Sequence, residues 1–312
     1  MSNDPQTGFG RPFFIVTWVE TGLALVLLSA RCFTSWKIIR YTGPDLILAI
    51  ITFIFGIASM AMITVGAAYG VGTPSATLTY NDDRNALLFG WISQSVSLIA
   101  IGLGKVALVV FIEHLQEYET KSKRAFLWFI AGSNFIVNMI AAILVFLQCS
   151  PAKKLWDEQI PGRCPGRKRV QIFGYIQAPY SAFCDFALAV YPVLIFRKVQ
   201  AFSLRQKIGL SVLMGLGIVA GACTIVKTVK LKLLTKVEDT TCTYSRPEKP
   251  RSILTIKPDT LGELILWNQT EMWVVFMVCC IPPTTAFFRF AYRQGASKVS
   301  SIMLRIRSSD EV

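Results

Sequence analysis

The sequence predicts an all-α membrane protein, a seven-transmembrane-helix bundle with its N-terminus outside and its C-terminus in the cytoplasm. Of its 312 residues, 53% are hydrophobic and only 16% are charged, too little polar surface for a soluble domain whose helices each keep a wet face. The apolar residues are also gathered into uninterrupted runs long enough to cross ~30 Å of hydrocarbon. The basic residues lie between those runs, which sets an orientation.

Residues 1–11 form a short polar extracellular tail, and 12–293 form the transmembrane domain. The first span covers about 13–33. It has no basic region ahead of it and no clear small-residue cleavage site, so it reads as a retained helix rather than a signal peptide. Arg31, Lys37 and Arg40 close it as a cytoplasmic basic cluster. The second span, about 45–69, leaves through Gly66, Gly70, Gly72 and Pro74, and a polar stretch at 80–85 completes the loop. The third runs over about 87–112 and a charged connection, 113–124, leads to the fourth at 126–147. A polar loop with two cysteines precedes the fifth span, about 172–196; a basic link, 197–207, joins it to the sixth, 208–234. A long polar loop, 235–262, precedes the last span at 264–292.

With the N-terminus outside, the loops after spans one, three and five and the C-terminal tail are all cytoplasmic and all basic. The loop after span four opposes this orientation, because Lys153, Lys154, Arg163, Arg167, Lys168 and Arg169 then lie outside. In the tail, 294–312, Val299, Ile302, Met303 and Ile306 recur at helical spacing among Lys298, Arg305 and Arg307. That pattern fits either a short interfacial helix or a disordered basic tail. There is no internal repeat and no linker that would set off a second domain.

The formal charge of +13 has a membrane explanation, basic loops held against anionic lipid headgroups, and without a basic stripe carrying stacking aromatics it predicts no nucleic-acid partner. The 8 cysteines form no CxxC pair and the sole histidine, His114, has no metal-binding context, so no metal site is expected.

Charges inside spans need a reason, because each costs about 2.5–3.5 kcal/mol at mid-membrane on the insertion scale. The candidates are Glu20, Lys105, Asp185, Lys227 and Glu271. Lys105 in span three and Asp185 near the middle of span five are expected to form an interhelical ion pair inside the bundle. It reads either as part of a ligand pocket or switch, or as a static polar clamp. Lys227 and Glu271 lie nearer span ends, where side chains can snorkel. Cys149 and Cys164 flank the loop on the oxidising side, and a disulfide there is worth ~3 kcal/mol of chain entropy. Gly215, Gly217 and Gly221 sit in an apolar span with no strand before them, so close helix packing is expected rather than a dinucleotide loop. Asn268-Gln269-Thr270 fits a glycosylation sequon at or inside the start of the last span, too near the membrane for modification. Pro192, Pro282 and Pro283 are hinge candidates that should kink or break their helices.

Several of these residues recur in a fixed order that resembles the fungal rhodopsin-domain integral membrane proteins, including the satratoxin-cluster type and the Pth-type receptor-like members. The similarity covers about residues 20–289. It is carried by Arg31-Cys32-Phe33, by Gly104-Lys105-Val106-Ala107-Leu108, by Cys149-Ser150-Pro151 with Trp156 and Gly162-Arg163-Cys164, by Asp185 with Tyr191-Pro192 and the 197–207 link, and by Glu271 with Cys280-Ile281-Pro282. The resemblance implies a seven-helix fungal membrane protein, in some members encoded near secondary-metabolite genes. The chain departs from the family at Gly43-Pro44-Asp45, where an acidic pair usually opens span two. Its N-terminal tail is also too short for the cysteine-rich extracellular domain of some receptor-like members.

Retinal is not expected, since its Schiff base needs a lysine in the last helix and 264–292 has none; no other cofactor is implied. The leading functional expectation is a receptor-like sensor, in the plasma membrane rather than an internal one, that takes an unidentified small molecule and relays to cytoplasmic signalling proteins. A scaffold or accessory protein of a secondary-metabolite pathway is the alternative, and a transporter ranks below it, since inverted repeats and matched broken helices are missing. Without a nucleophile-base pair or a metal ligand set, the chain is not expected to be an enzyme.

Overall fold

The computed structural model describes residues 10–39, 43–73, 78–115, 121–157, 159–196 and 261–281, with single positions at 215, 219, 221 and 222. Apart from those four positions the expected sixth span lies outside them, as do Lys227, Gly217, the C-terminal tail, Pro282 and Pro283; at Gly215 and Gly221, expected to pack closely, a Cβ would meet nothing within 4 Å among the described residues.

Six long helices make up nearly all of the described chain: α1 (Gly10–Phe33), α2 (Pro44–Ala68), α3 (Tyr80–Leu115), α4 (Lys121–Leu147), α5 (Arg167–Phe196) and α6 (Leu261–Ile281). A π-helical stretch, Thr34–Ile39, continues α1, and a 3-10 turn, Ala152–Leu155, lies between α4 and α5. Five of the six helices are long and apolar enough to cross a membrane, so the protein is a multi-pass membrane protein. The exception is α5, which opens on Arg167-Lys168-Arg169 and carries Gln171, Gln177, Tyr180, Ser181 and Asp185. At 30 residues and ~1.5 Å of rise each it is still long enough to cross. It runs on past Pro192 to Phe196, so that proline does not end the helix as expected of a break.

Helix α3 begins seven residues before the expected start because its polar first turn, with Asp82 and Asp83 beside the positive helix end, is itself helical. The glycine-rich exit of α2 is a Schellman stop: Gly70 sits at φ 100°, Gly70 N–H bonds Ala67 O at 3.0 Å, and Val71 N–H bonds Gly66 O at 3.1 Å.

Helices α3 and α6 are mostly buried, whereas α1 and α4 turn Ile15, Val19, Val26, Phe129, Ile136 and Ile143 outward. In water such faces would aggregate; against lipid tails they lose nothing. The buried face of α2, with Thr52, Gly56, Ser59 and Ile63 at three- and four-residue steps, uses small side chains so that backbones approach closely. A Cβ on Gly56 would meet the Trp273 ring at 2.9 Å, and one on Gly104 would meet Val275 at 3.1 Å.

Two apolar clusters fill the bundle. The larger joins α1, α2, α3 and α6 around Met60, Ile63, Trp273 and Phe276. The smaller, with Leu108, Ile112, Leu127, Ile130, Leu188 and Val274, joins α3, α4, α5 and α6.

Candidate functional site

At one end of the bundle, Cys149 and Cys164 form a disulfide. The loop it closes is tied by paired backbone bonds between Ser150 and Arg163 at 2.9 and 3.1 Å. Tyr80, at the start of α3, donates its hydroxyl to Asp157 of this loop, and Arg84 lies 3.5 Å from the same carboxylate. The loop is therefore fastened to α3 besides the two helices it connects.

At the other end is a contact that the sequence reading missed. Arg31, expected as a cytoplasmic loop charge, is fully buried instead. Its Nη2 meets Asp45 Oδ2 at 2.7 Å, its Nη1 donates to the Cys279 carbonyl at 2.8 Å, and its guanidinium sits 5.7 Å from the Phe111 ring centroid. The Cys279 bond has a sequence cause. In a helix that carbonyl would accept from the N–H four residues on, and residue 283 is a proline with no N–H. Arg31 supplies the missing donor. Asp45, the single acid where the resembling family has a pair, supplies its counter-charge.

Between these ends lies the cluster built on the predicted charges. Lys105 of α3 is fully buried; its Nζ lies 3.1 Å from Asp185 Oδ1, 2.7 Å from Ser181 Oγ and 3.0 Å from Ser181 O, all on α5. Ser181 Oγ in turn donates to Glu271 Oε1 of α6 at 3.0 Å. Three helices thus meet at one buried ammonium, two carboxylates and a hydroxyl that is both acceptor and donor. Glu271 corrects the sequence reading: it sits at the middle of α6, 1% exposed, and does not snorkel.

Glu20 does not join this group. It lies half-buried on α1, where the Thr270 hydroxyl bonds it. That contact belongs to a second unforeseen feature, the run Asn268-Gln269-Thr270-Glu271. Consecutive residues step ~100° around a helix, so the four point to different neighbours. Asn268 bonds Ser97 of α3. Gln269 Nε2 reaches Ser59 of α2 at 2.5 Å and Ser93 of α3 at 3.0 Å. Thr270 reaches α1 and Glu271 reaches α5. Ser59 and Ser93 also exchange bonds with each other's backbone carbonyls at 2.9 and 3.0 Å. The sequon is therefore a buried packing motif; Asn268 is 0% exposed.

On the disulfide side of the Lys105 cluster the core between α4 and α5 is polar: Gln177 Nε2 donates to Asn138 Oδ1 at 2.7 Å, and Asn138 Nδ2 to Asn134 Oδ1 at 2.9 Å. On the Arg31 side it is the smaller apolar cluster. Four free cysteines, Cys32, Cys184, Cys279 and Cys280, are found among the described residues, three of them buried. No grouping there could hold a metal ion.

Comparison with known proteins agrees with the architecture. The fungal rhodopsin domain matches residues 30–290. The chain is similar to wortmanamides biosynthesis cluster protein C of Talaromyces wortmannii, 22% identical over 283 residues, 88% of this chain and 69% of that protein. It is also similar to fugralins biosynthesis cluster protein 2 of Gibberella zeae, 25% identical over 167 residues, 52% of this chain and 36% of that one. No solved structure matches.

Proposed function

Because the chain belongs to the fungal rhodopsin domain family, we propose that it is a seven-helix, receptor-like sensor of a small molecule, without retinal, whose switch is the Lys105–Asp185–Ser181–Glu271 cluster. One observation carries this reading: a single buried ammonium holds α3, α5 and α6 together. Buried ion pairs are poor stabilisers, since apolar residues of the same volume commonly serve as well or better. Their advantage is that they exist in two states, made and broken, and helix movement interconverts them. The polar core on the disulfide side and the apolar seal on the other favour a ligand that arrives and leaves from one side over a solute that passes through.

In this reading the disulfide end faces the oxidising exterior, where such bonds persist, so the N-terminus is outside and the C-terminus in the cytoplasm. The plasma membrane is the site of action, and cytoplasmic signalling proteins are the partners. The names of the two relatives favour a second reading, a membrane accessory or scaffold protein of a secondary-metabolite pathway.

Proximity labelling from a C-terminal tag in a fungal host separates the two. Enrichment of Gα subunits or other signalling proteins, altered in Lys105 and Asp185 variants of normal abundance, supports the sensor. Enrichment of biosynthetic enzymes without signalling proteins, unchanged in those variants, puts the accessory reading in its place.

A further inference from the structure

Arg31 ties four helices together at one point. It stands in the last turn of α1. Its guanidinium meets Asp45 of α2 at 2.7 Å, the Cys279 carbonyl of α6 at 2.8 Å and the Phe111 ring of α3 at 5.7 Å. Its Nη1 also lies 3.3 Å from the Cys279 thiol and 3.9 Å from that of Cys280. Arg31 and both cysteines are 0% exposed, whereas the Asp45 side chain is 15% exposed. Solvent therefore reaches the pair at its acid.

The end of α6 depends on this contact. Pro282 and Pro283 come next in the chain. Neither has an N–H, so the carbonyls of Val278 and Cys279 cannot receive the bond that would normally come from four residues on. The last turn of α6 cannot brace itself at these two carbonyls, and at Cys279 the brace comes from another helix.

The contact also has somewhere to go when it breaks, which sets it apart from the one at Lys105. Lys105 is enclosed within the bundle. Arg31 is within a turn of a helix end, where a long cationic side chain reaches headgroups and water. The carbonyl it would leave is in the last turn of α6, where water can donate in its place. The connection from Arg31 to Asp45 contains the π-helical stretch Thr34–Ile39, and turns of this kind are rare and gather at functional sites.

We infer that Arg31 is a latch on the end of α6, with Asp45 as its release point. Closed, it stands in for the N–H that Pro283 lacks; open, it turns out to the interface and frees the last turn of α6 to swing. The latch needs no ligand at Lys105 and stands whether or not that cluster senses one.

The buried thiols beside Arg31 report its state. The full chain in nanodiscs is treated with N-ethylmaleimide, and labelling is followed at each cysteine by mass spectrometry. Cys184, also 0% exposed but set in the smaller apolar cluster, is the control for general unfolding. Asp45→Asn keeps the guanidinium and removes its counter-charge. Labelling at Cys279 and Cys280 is expected to rise about tenfold, as for loss of one charge-assisted hydrogen bond, with Cys184 unchanged. Arg31→Met should do the same, and adding Pro283→Ala, which returns an N–H four residues after Cys279, should bring protection back. Labelling of Cys279 and Cys280 that stays unchanged in Asp45→Asn overturns the latch. So does a parallel rise at Cys184, which makes the contact a support of the whole fold, and so does an Arg31→Met protein that Pro283→Ala fails to protect.

Discussion

Lys105→Met removes the ammonium and leaves Asp185 buried without its cation. That is expected to destabilise the protein by about 3–5 kcal/mol, and adding Asp185→Leu should restore most of the loss. Thermal unfolding of the two variants in lipid measures it, and a double variant no more stable than the single one would sink the idea that the charges exist for switching rather than support. The pair was legible in the sequence because a charge inside an apolar span demands a partner and only a few were on offer. Arg31 was not legible. An arginine closing a span is what the positive-inside rule leads one to expect, and nothing nearby revealed that Asp45 and the Cys279 carbonyl would enclose it. The available signal was Pro283, whose missing N–H leaves a carbonyl four residues earlier in need of a donor.

At the level of elements, the apolar runs located the helices, while their ends moved wherever a polar first turn was itself helical, as at Tyr80 and Lys121. Helix α5 shows the limit of hydropathy: its polar Gln177, Ser181 and Asp185 share the buried face while Ile172, Ile176, Phe183 and Phe186 are exposed, so the feature that weakens it as a span makes it part of the site. Glu271 was placed nearer a span end because the last span was read over about 264–292, which sets it about two turns from the start. Four adjacent polar residues inside an otherwise apolar stretch were the clue to a helix with neighbours all around it. Where α2 meets α6, Gly56→Val would press on the Trp273 ring, which lies 2.9 Å from the added Cβ. A loss of about 1–3 kcal/mol is expected, readable as a lower midpoint of unfolding, whereas Gly132→Val, with nothing within 4 Å, should cost far less. Glycosidase treatment should leave the electrophoretic mobility contributed by Asn268 unchanged, as its side chain is buried.

For the molecule as a whole, the disulfide and the basic loop it closes set the orientation test. Lys153 and Lys37 are both exposed and lie at opposite ends of the bundle. A membrane-impermeant maleimide applied to intact cells is expected to label Lys153→Cys and not Lys37→Cys; the reverse pattern would invert the topology. Replacing Cys149 and Cys164 together by serine should lower stability by ~3 kcal/mol, with the Tyr80–Asp157 contact holding the loop in part.

The polar run of α6 also limits how this helix can move. Its four contacts are spread around the circumference but confined to one turn of its length, as the teeth of a key are. Rolling α6 about its own axis by a single residue's angle would break all four at once, while a tilt pivoting on that turn would preserve them and swing both ends. The same geometry forbids small insertions. One extra alanine placed just before Asn268 turns every following side chain by ~100° and should abolish assembly, whereas the same insertion near the lipid-facing start of α1 only shifts which apolar residues meet the lipid.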